Sequence, residues 1–266
     1  LGVVLQELGR LEQAAESYGQ AIGLKPDYID AFMNRWDLLF KKGDFEAALI
    51  DADSWDTKLS RLRSLETLYA LGRVKEIYER IEKRSKVDDG DLGVAAFSSF
   101  IANKEKKNTA NNFCSEPLEF LHFANISSYL QNANVFIKEL VEELHNVKTI
   151  WEPSKRATRK GFQTAKDINL FSNPKGKMAQ LKSIIVEELD LYYFKFQKQP
   201  CSYIRKWPSE KTLSGWHVVL KKQGHQTAHI HPAGWLSGVI YLKVVSALGR
   251  DEGAIEFSLN GENYSD

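Results

Sequence analysis

The sequence predicts an α+β, multidomain chain. An N-terminal α-helical solenoid of repeated units is followed by helices packed on a partial, strand-built barrel or sandwich. Three observations predict it. The first quarter is self-similar at a 34-residue period, the period of a helix–turn–helix solenoid unit. A polar stretch, Asn103 to Asn112, then has almost no apolar residue and reads as an exposed linker. From Ser214 the apolar period changes from that of a helix to two, with short strand-like runs between Gly, Pro and Asn. Helices followed by a run of strands point to a sheet backed by helices. The boundaries are residues 1–103 for the repeats, 104–116 for the linker and 117–266 for the second domain.

The repeat rests on matched residues. Gly9 and Gly43, Leu5 and Leu39, Leu11 and Phe45, Glu12 and Glu46, and Ala14 and Ala48 are all 34 apart. Gly9 is expected to break between two helices. Ala14, Tyr18 and Ala21 then fall on one helix face, and Pro26 stops that helix. This small–large–small pattern with its terminal proline resembles the tetratricopeptide repeat. The second unit departs from it: Ala52 stands where the large aromatic belongs, and Trp55 where the small residue belongs. A third unit is expected from Leu59 to Lys83, its glycine, Gly72, only 29 after Gly43, and a further helix from Asp91 to Asn103. Such arrays bind a peptide or another protein, or serve as scaffolds.

Composition narrows the classes. The 36 basic and 35 acidic residues leave a formal net charge of +1, which offers no overall pull toward nucleic acid or a membrane. No apolar run approaches the roughly 18 residues that span a bilayer. Cys114 and Cys201 follow no zinc or redox spacing and cannot make a disulfide framework, so a cytoplasmic location is expected. The chain opens inside a helical pattern and stops just after the strand-like run Ala254–Leu259. Both ends therefore read as cut.

In the second half, Val135–Leu144 and Leu181–Phe196 have helical periodicity, and Pro153–Thr164 is a basic segment read as a solvated loop. Trp216, Val218 and Leu220 alternate with His217 and Val219. Three of the six histidines, His225, His229 and His231, then fall within seven residues. On a strand, the spacing of His229 and His231 would turn both imidazoles to one face. Imidazole is the commonest protein metal ligand near neutral pH. A pair is half of a site, since a metal needs at least a third protein ligand.

The run from Trp216 through Gly224 and His229-Ile230-His231-Pro232 into Ser237-Gly238-Val239-Ile240-Tyr241-Leu242, then Gly253–Phe257, resembles the 2-oxoglutarate/iron(II) oxygenase family with the prolyl-hydroxylase-like double-stranded β-helix, or jelly roll. Lys160–Thr164 and Leu181–Phe196 look like the N-terminal part of that family, so the resemblance spans about residues 120 to 266. It implies iron(II) with 2-oxoglutarate as cosubstrate and dioxygen as oxidant, and hydroxylation of a C–H bond. His229 matches the first ligand. His231 stands where a carboxylate usually does, which would leave one more positive charge on the metal centre. Tyr241 matches the tyrosine that hydrogen-bonds the cosubstrate carboxylate. Trp216 and Trp235 read as packing residues, and His217 and His225 as bystanders.

Family members carry a distal histidine and a basic residue on later strands. No histidine follows His231, and the last arginine, Arg250, sits in a polar turn. Those two residues are expected beyond Asp266, and this stretch alone is expected to be inactive. The favoured reading is a dioxygenase with a protein-binding repeat domain. The alternatives are a non-catalytic interaction protein carrying a degenerate jelly roll, and a three-histidine metal enzyme without 2-oxoglutarate.

Overall fold

The computed structural model describes residues 1–154, 156–231, 234–244, 249, 252–261 and 264. About half of the chain is helical. It divides into two compact units, Leu1–Ser115 with Leu259–Asp266, and Glu116–Ser258.

The first unit is a series of helices: α1 (Gly2–Glu7), α2 (Leu11–Leu24), α3 (Ile29–Lys42), α4 (Phe45–Asp53), α5 (Lys58–Ala70), α6 (Val74–Arg84) and α7 (Leu92–Glu105). Gly9, Gly43 and Gly72 close three of the turns at φ of 72°, 83° and 69°. A Cβ at any of the three would meet nothing within 4 Å. Their requirement is therefore the left-handed backbone, not space. The expected helix from Asp91 is present, with the Asp91 carboxylate accepting from Gly93 N–H and Val94 N–H as its cap.

The departure of the second repeat has a packing explanation. In the first repeat, Tyr18 of α2 lies against Gly2, where a Cβ would come within 2.5 Å of the ring. In the second the bulk changes sides. Trp36 of α3, 1 % exposed, fills the space over Ala48 and Ala52. Its indole N–H donates to Thr67 Oγ1 at 3.0 Å, Phe40 stacks on it at 4.8 Å, and Arg63 covers it at 4.1 Å. The slip of the third unit also has a cause. Helix α4 has nine residues where α2 has 14, and that difference equals the shortfall in the Gly43–Gly72 spacing. Leu49, Leu65, Leu68, Ile77, Ile81, Phe97, Phe100 and Tyr264 belong to the main core of this unit.

Arginine–aspartate pairs tie α3 to α4 and α4 to α6. Arg35 grips Asp51 with both arms, Nε at 2.8 Å and Nη2 at 2.5 Å. Arg80 reaches both oxygens of Asp53 at 2.6 and 2.9 Å. Asp51 is 1 % exposed, so its charge relies on Arg35.

The second unit begins with two 3-10 turns, Pro117–Phe120 and Ile126–Tyr129, and helix α8 (Ala133–His145), which buries Phe136, Leu140 and Leu144 at a spacing of four. These pack on Met178, Leu181 and Ile184 of α9 (Gly176–Phe196). Helix α9 starts five residues before the Leu181 that periodicity indicated, because α8 supplies its cap. Glu143 accepts from Lys177 N–H at 2.8 Å and Met178 N–H at 3.1 Å. Gly176, at φ 52°, leaves room for that carboxylate. After the short helix α10 (Ser202–Arg205) comes the last strand of an antiparallel sheet ordered β1 (Thr149–Trp151), β2 (Thr158–Thr164), β3 (Val218–Gln226). Phe162 pairs with Val219 and Thr158 with Gln226, and the register shifts between Arg159 and Gly161. Gly224 lies in that irregular stretch, where a Cβ would stand 2.5 Å from the Lys160 carbonyl.

The strand pattern is only partly realised. Trp235–Leu242 and Ala254–Leu259, expected as strands, are irregular among the described residues. Val239, Tyr241, Ile255 and Phe257 are exposed. Period-two patterning marks an apolar face, but a strand exists only where a neighbour completes its ladder. A three-stranded sheet is present, and no second sheet is seen among the described residues.

Two losses of stability test the helical unit, both read from its unfolding midpoint in urea. Trp36→Ala is expected to lose about 3–5 kcal/mol. Arg35→Ala, which strands a buried carboxylate, is expected to lose about 3 kcal/mol, with Arg35→Met/Asp51→Leu recovering most of it.

Candidate metal centre

The segment carrying the histidine pair leaves β3 at Gln226. The β2–β3 ladder continues one step further: Thr227 N–H donates to the Ala157 carbonyl at 3.0 Å. The Thr227 carbonyl in turn lies 2.7 Å from His229 Nδ1. A carbonyl can only accept, so Nδ1 carries the proton, and in the neutral form of this tautomer the lone pair is on Nε2. A backbone carbonyl that fixes the tautomer in this way is the usual outer partner of a metal-binding imidazole.

His229 and His231 do not share a strand face, because the chain is irregular beyond β3. They are still neighbours, with ring centroids 4.8 Å apart and planes at 69°. His231 stacks on Trp216 at 5.5 Å and 26°. Burial pushes the His231 pKa down, and the charges of His229 and Arg156 push it further. Its ring is therefore neutral at neutral pH, the form that can ligate.

His229, with Nδ1 on the Thr227 carbonyl, and His231 are two nitrogen donors side by side. Among the described residues, no group of three or more His, Cys, Asp or Glu side chains is placed to hold a metal. Tyr241 is 50 % exposed, and among the described residues no hydrogen bond or ring contact joins it to the histidines. Pro232 of the H-x-H-P turn and Arg250 lie outside the described residues.

The other histidines have separate settings. His217 is bound to β2: its N–H donates to Thr164 Oγ1 at 2.9 Å, and its Nδ1 lies 2.9 Å from the same oxygen. His225 faces Arg159 across the ladder. Trp216 packs on His231, and Trp235 stacks on Tyr203 at 6.0 Å. One cluster has no signal in the sequence, because its members are 59 and 66 residues apart. Glu188 of α9 accepts from Tyr129 OH and lies 2.7 Å from His122 Nε2. That hydrogen bond, with some burial, pushes the Tyr129 hydroxyl up to about 12.

Residues 214–263 match the family model described as "Putative 2OG-Fe(II) oxygenase", and residues 2–43 match that of the TPR repeat. The repeat thus precedes the oxygenase match in the chain. The oxygenase match includes Trp216, both histidines of the pair and Tyr241. A comparison with curated proteins finds no match.

His217 provides a check on this geometry. Burial, and then the charge of His145, push its pKa below the ordinary 6.5. The folded form thus binds its proton less readily than the unfolded chain. Stability from this group is present above pH 6.5 and is lost as pH falls through 6.5 toward the lower midpoint. An NMR titration from about pH 7.5 to about pH 5.5 should find the His217 midpoint below the ordinary imidazole value. A midpoint at or above 6.5 contradicts this buried setting beside His145.

Proposed function

We propose that the chain carries part of an iron(II)- and 2-oxoglutarate-dependent dioxygenase, joined to a helical repeat unit that binds a protein or peptide. The observation that supports this most is the tautomer-fixed His229 beside the neutral His231, within the stretch that matches the oxygenase family. In this reading the second domain is a double-stranded β-helix. The apolar alternation of Trp235–Leu242 and Ala254–Leu259 supports this reading, and both segments are irregular among the described residues.

The roles follow from each side chain. His229 binds the metal through Nε2, oriented by the Thr227 carbonyl. His231 binds beside it as a neutral donor, and Trp216 holds that ring in place and keeps water from one side. Tyr241 takes a carboxylate of the cosubstrate through its hydroxyl. Iron(II) with 2-oxoglutarate supplies oxygen activation: one oxygen atom of dioxygen enters a C–H bond as hydroxyl, and the other leaves in succinate as carbon dioxide is released. The protein's share is to hold the open metal positions, orient the substrate and exclude water. With two imidazoles and no carboxylate among these ligands, a bound iron(II) would carry one more positive charge than with a histidine–carboxylate pair. TPR repeats generally mediate protein–protein contacts, so the helical unit is assigned a protein or peptide partner.

Anaerobic calorimetry with iron(II) tests this reading. The chain should bind the metal, His229→Ala should weaken binding by about tenfold or more, and Tyr241→Phe should leave it unchanged. Binding that is equal in wild type and His229→Ala removes the metal site.

A further inference from the structure

The main core of the helical unit holds one residue that does not come from its helices. The other buried residues of that core lie on α4, α5, α6 and α7, whereas Tyr264 belongs to the segment Leu259–Asp266. We propose that α5 and α7 form a socket for a tyrosine side chain, which this chain's own Tyr264 fills as a displaceable ligand. The inference rests on the reading of the helical unit as a peptide binder, and it names the side chain that the unit takes.

The walls of the socket are fixed by the helices. Phe97 and Phe100 stand three apart on α7 and so share a face of it. Their rings are 5.9 Å apart, and Tyr69 of α5 meets both edge-on, at 6.4 and 5.1 Å. The Asp91 cap and the buried leucines of α5 hold the two helices in place. The Tyr264 ring enters edge-on to Phe97 at 5.0 Å and tilted on Phe100 at 4.5 Å. Such aromatic pairs add to what burial alone contributes. Tyr264 is 2 % exposed. Burial, and then the charge of Glu66 on α5, pushes its hydroxyl above the ordinary 10, so the socket takes a neutral phenol.

The chain around Tyr264 has the form of a bound peptide. Residues 254–258 before it are exposed. From Arg205 onward, Tyr264 is the one buried residue among the described residues. Phe97 and Phe100, by contrast, sit among buried neighbours along α7. Gly261 N–H donates to the Tyr264 carbonyl at 3.0 Å, which turns the chain back on itself at the socket. A Cβ at Gly261 would run into the Tyr264 ring, so this glycine is needed for the ring to lie where it does. One aromatic anchor on an otherwise exposed segment is how a peptide concentrates its binding energy in a single pocket.

The test uses the whole chain and a fluorescein-labelled peptide with the sequence of residues 259–266, read by anisotropy. In wild type the tethered Tyr264 competes at a high effective concentration, so the peptide should bind weakly. Tyr264→Ala empties the socket and should bind the peptide at least about tenfold more tightly. Gly261→Val displaces the ring without touching the walls and should act in the same direction. A peptide carrying Tyr264→Ala should bind none of the three proteins. The Tyr264→Ala chain should keep the helical circular dichroism of wild type, and saturating peptide should raise its melting temperature. Loss of that helical signal makes Tyr264 a core residue and overturns the proposal. Saturable binding of equal strength by wild type and Tyr264→Ala overturns the socket but leaves the helical unit a peptide binder. No saturable binding by Tyr264→Ala overturns the socket without touching peptide binding elsewhere on the repeats.

Discussion

The candidate site depends on Thr227 and its two backbone hydrogen bonds. Its N–H extends the β2–β3 ladder by one step to Ala157, and its carbonyl fixes His229. A segment without regular secondary structure would ordinarily leave its side chains free to turn. Here one residue passes the order of the sheet to the imidazole. It does so from both sides, since the β1–β2 loop is held by the same contact. The neighbouring irregularity has a similar logic. Lys160 and Gln223, at φ of 47° and 60°, lie where the register shifts, and Gly224 permits the close backbone approach there. The bulge lets the ladder resume at Arg159–His225 and Thr158–Gln226, so that Thr227 arrives opposite Ala157.

Much of the helical unit is legible in the sequence because its determinants are local. The three glycines at left-handed φ, the apolar spacing of Ala14 and Tyr18, and the cap at Asp91 each act within a few residues. The exchange of bulk between Ala52 and Trp36 is not local. It places an aromatic on one helix in the space that a repeat usually fills from the next, and only packing reveals it. The early start of α9 is hidden for the same reason, since its cap comes from Glu143 on another helix.

In the second unit the chemistry of the residues is more legible than their arrangement. The pairing of His229 with His231 stands in the sequence, but the reason given by strand geometry does not. The rings meet through an irregular turn, with Trp216 as a wall. The approach of the basic β1–β2 loop to the histidine segment is hidden as well, because composition alone reads that loop as solvent-facing. What reveals it is a contact 70 residues away in sequence, between Ala157 and Thr227. Long-range ladders of this kind are set by the whole sheet and cannot be read from a window of sequence.

The central claim is that His229 is held with its proton on Nδ1 and its lone pair on Nε2. Long-range proton–nitrogen correlation NMR on chain labelled with nitrogen-15 histidine, at about pH 8, above the ordinary imidazole pKa of about 6.5, measures this directly. The account predicts a protonated Nδ1 and an unprotonated Nε2 for His229. A ring protonated at Nε2, or an even mixture of the two tautomers, contradicts it.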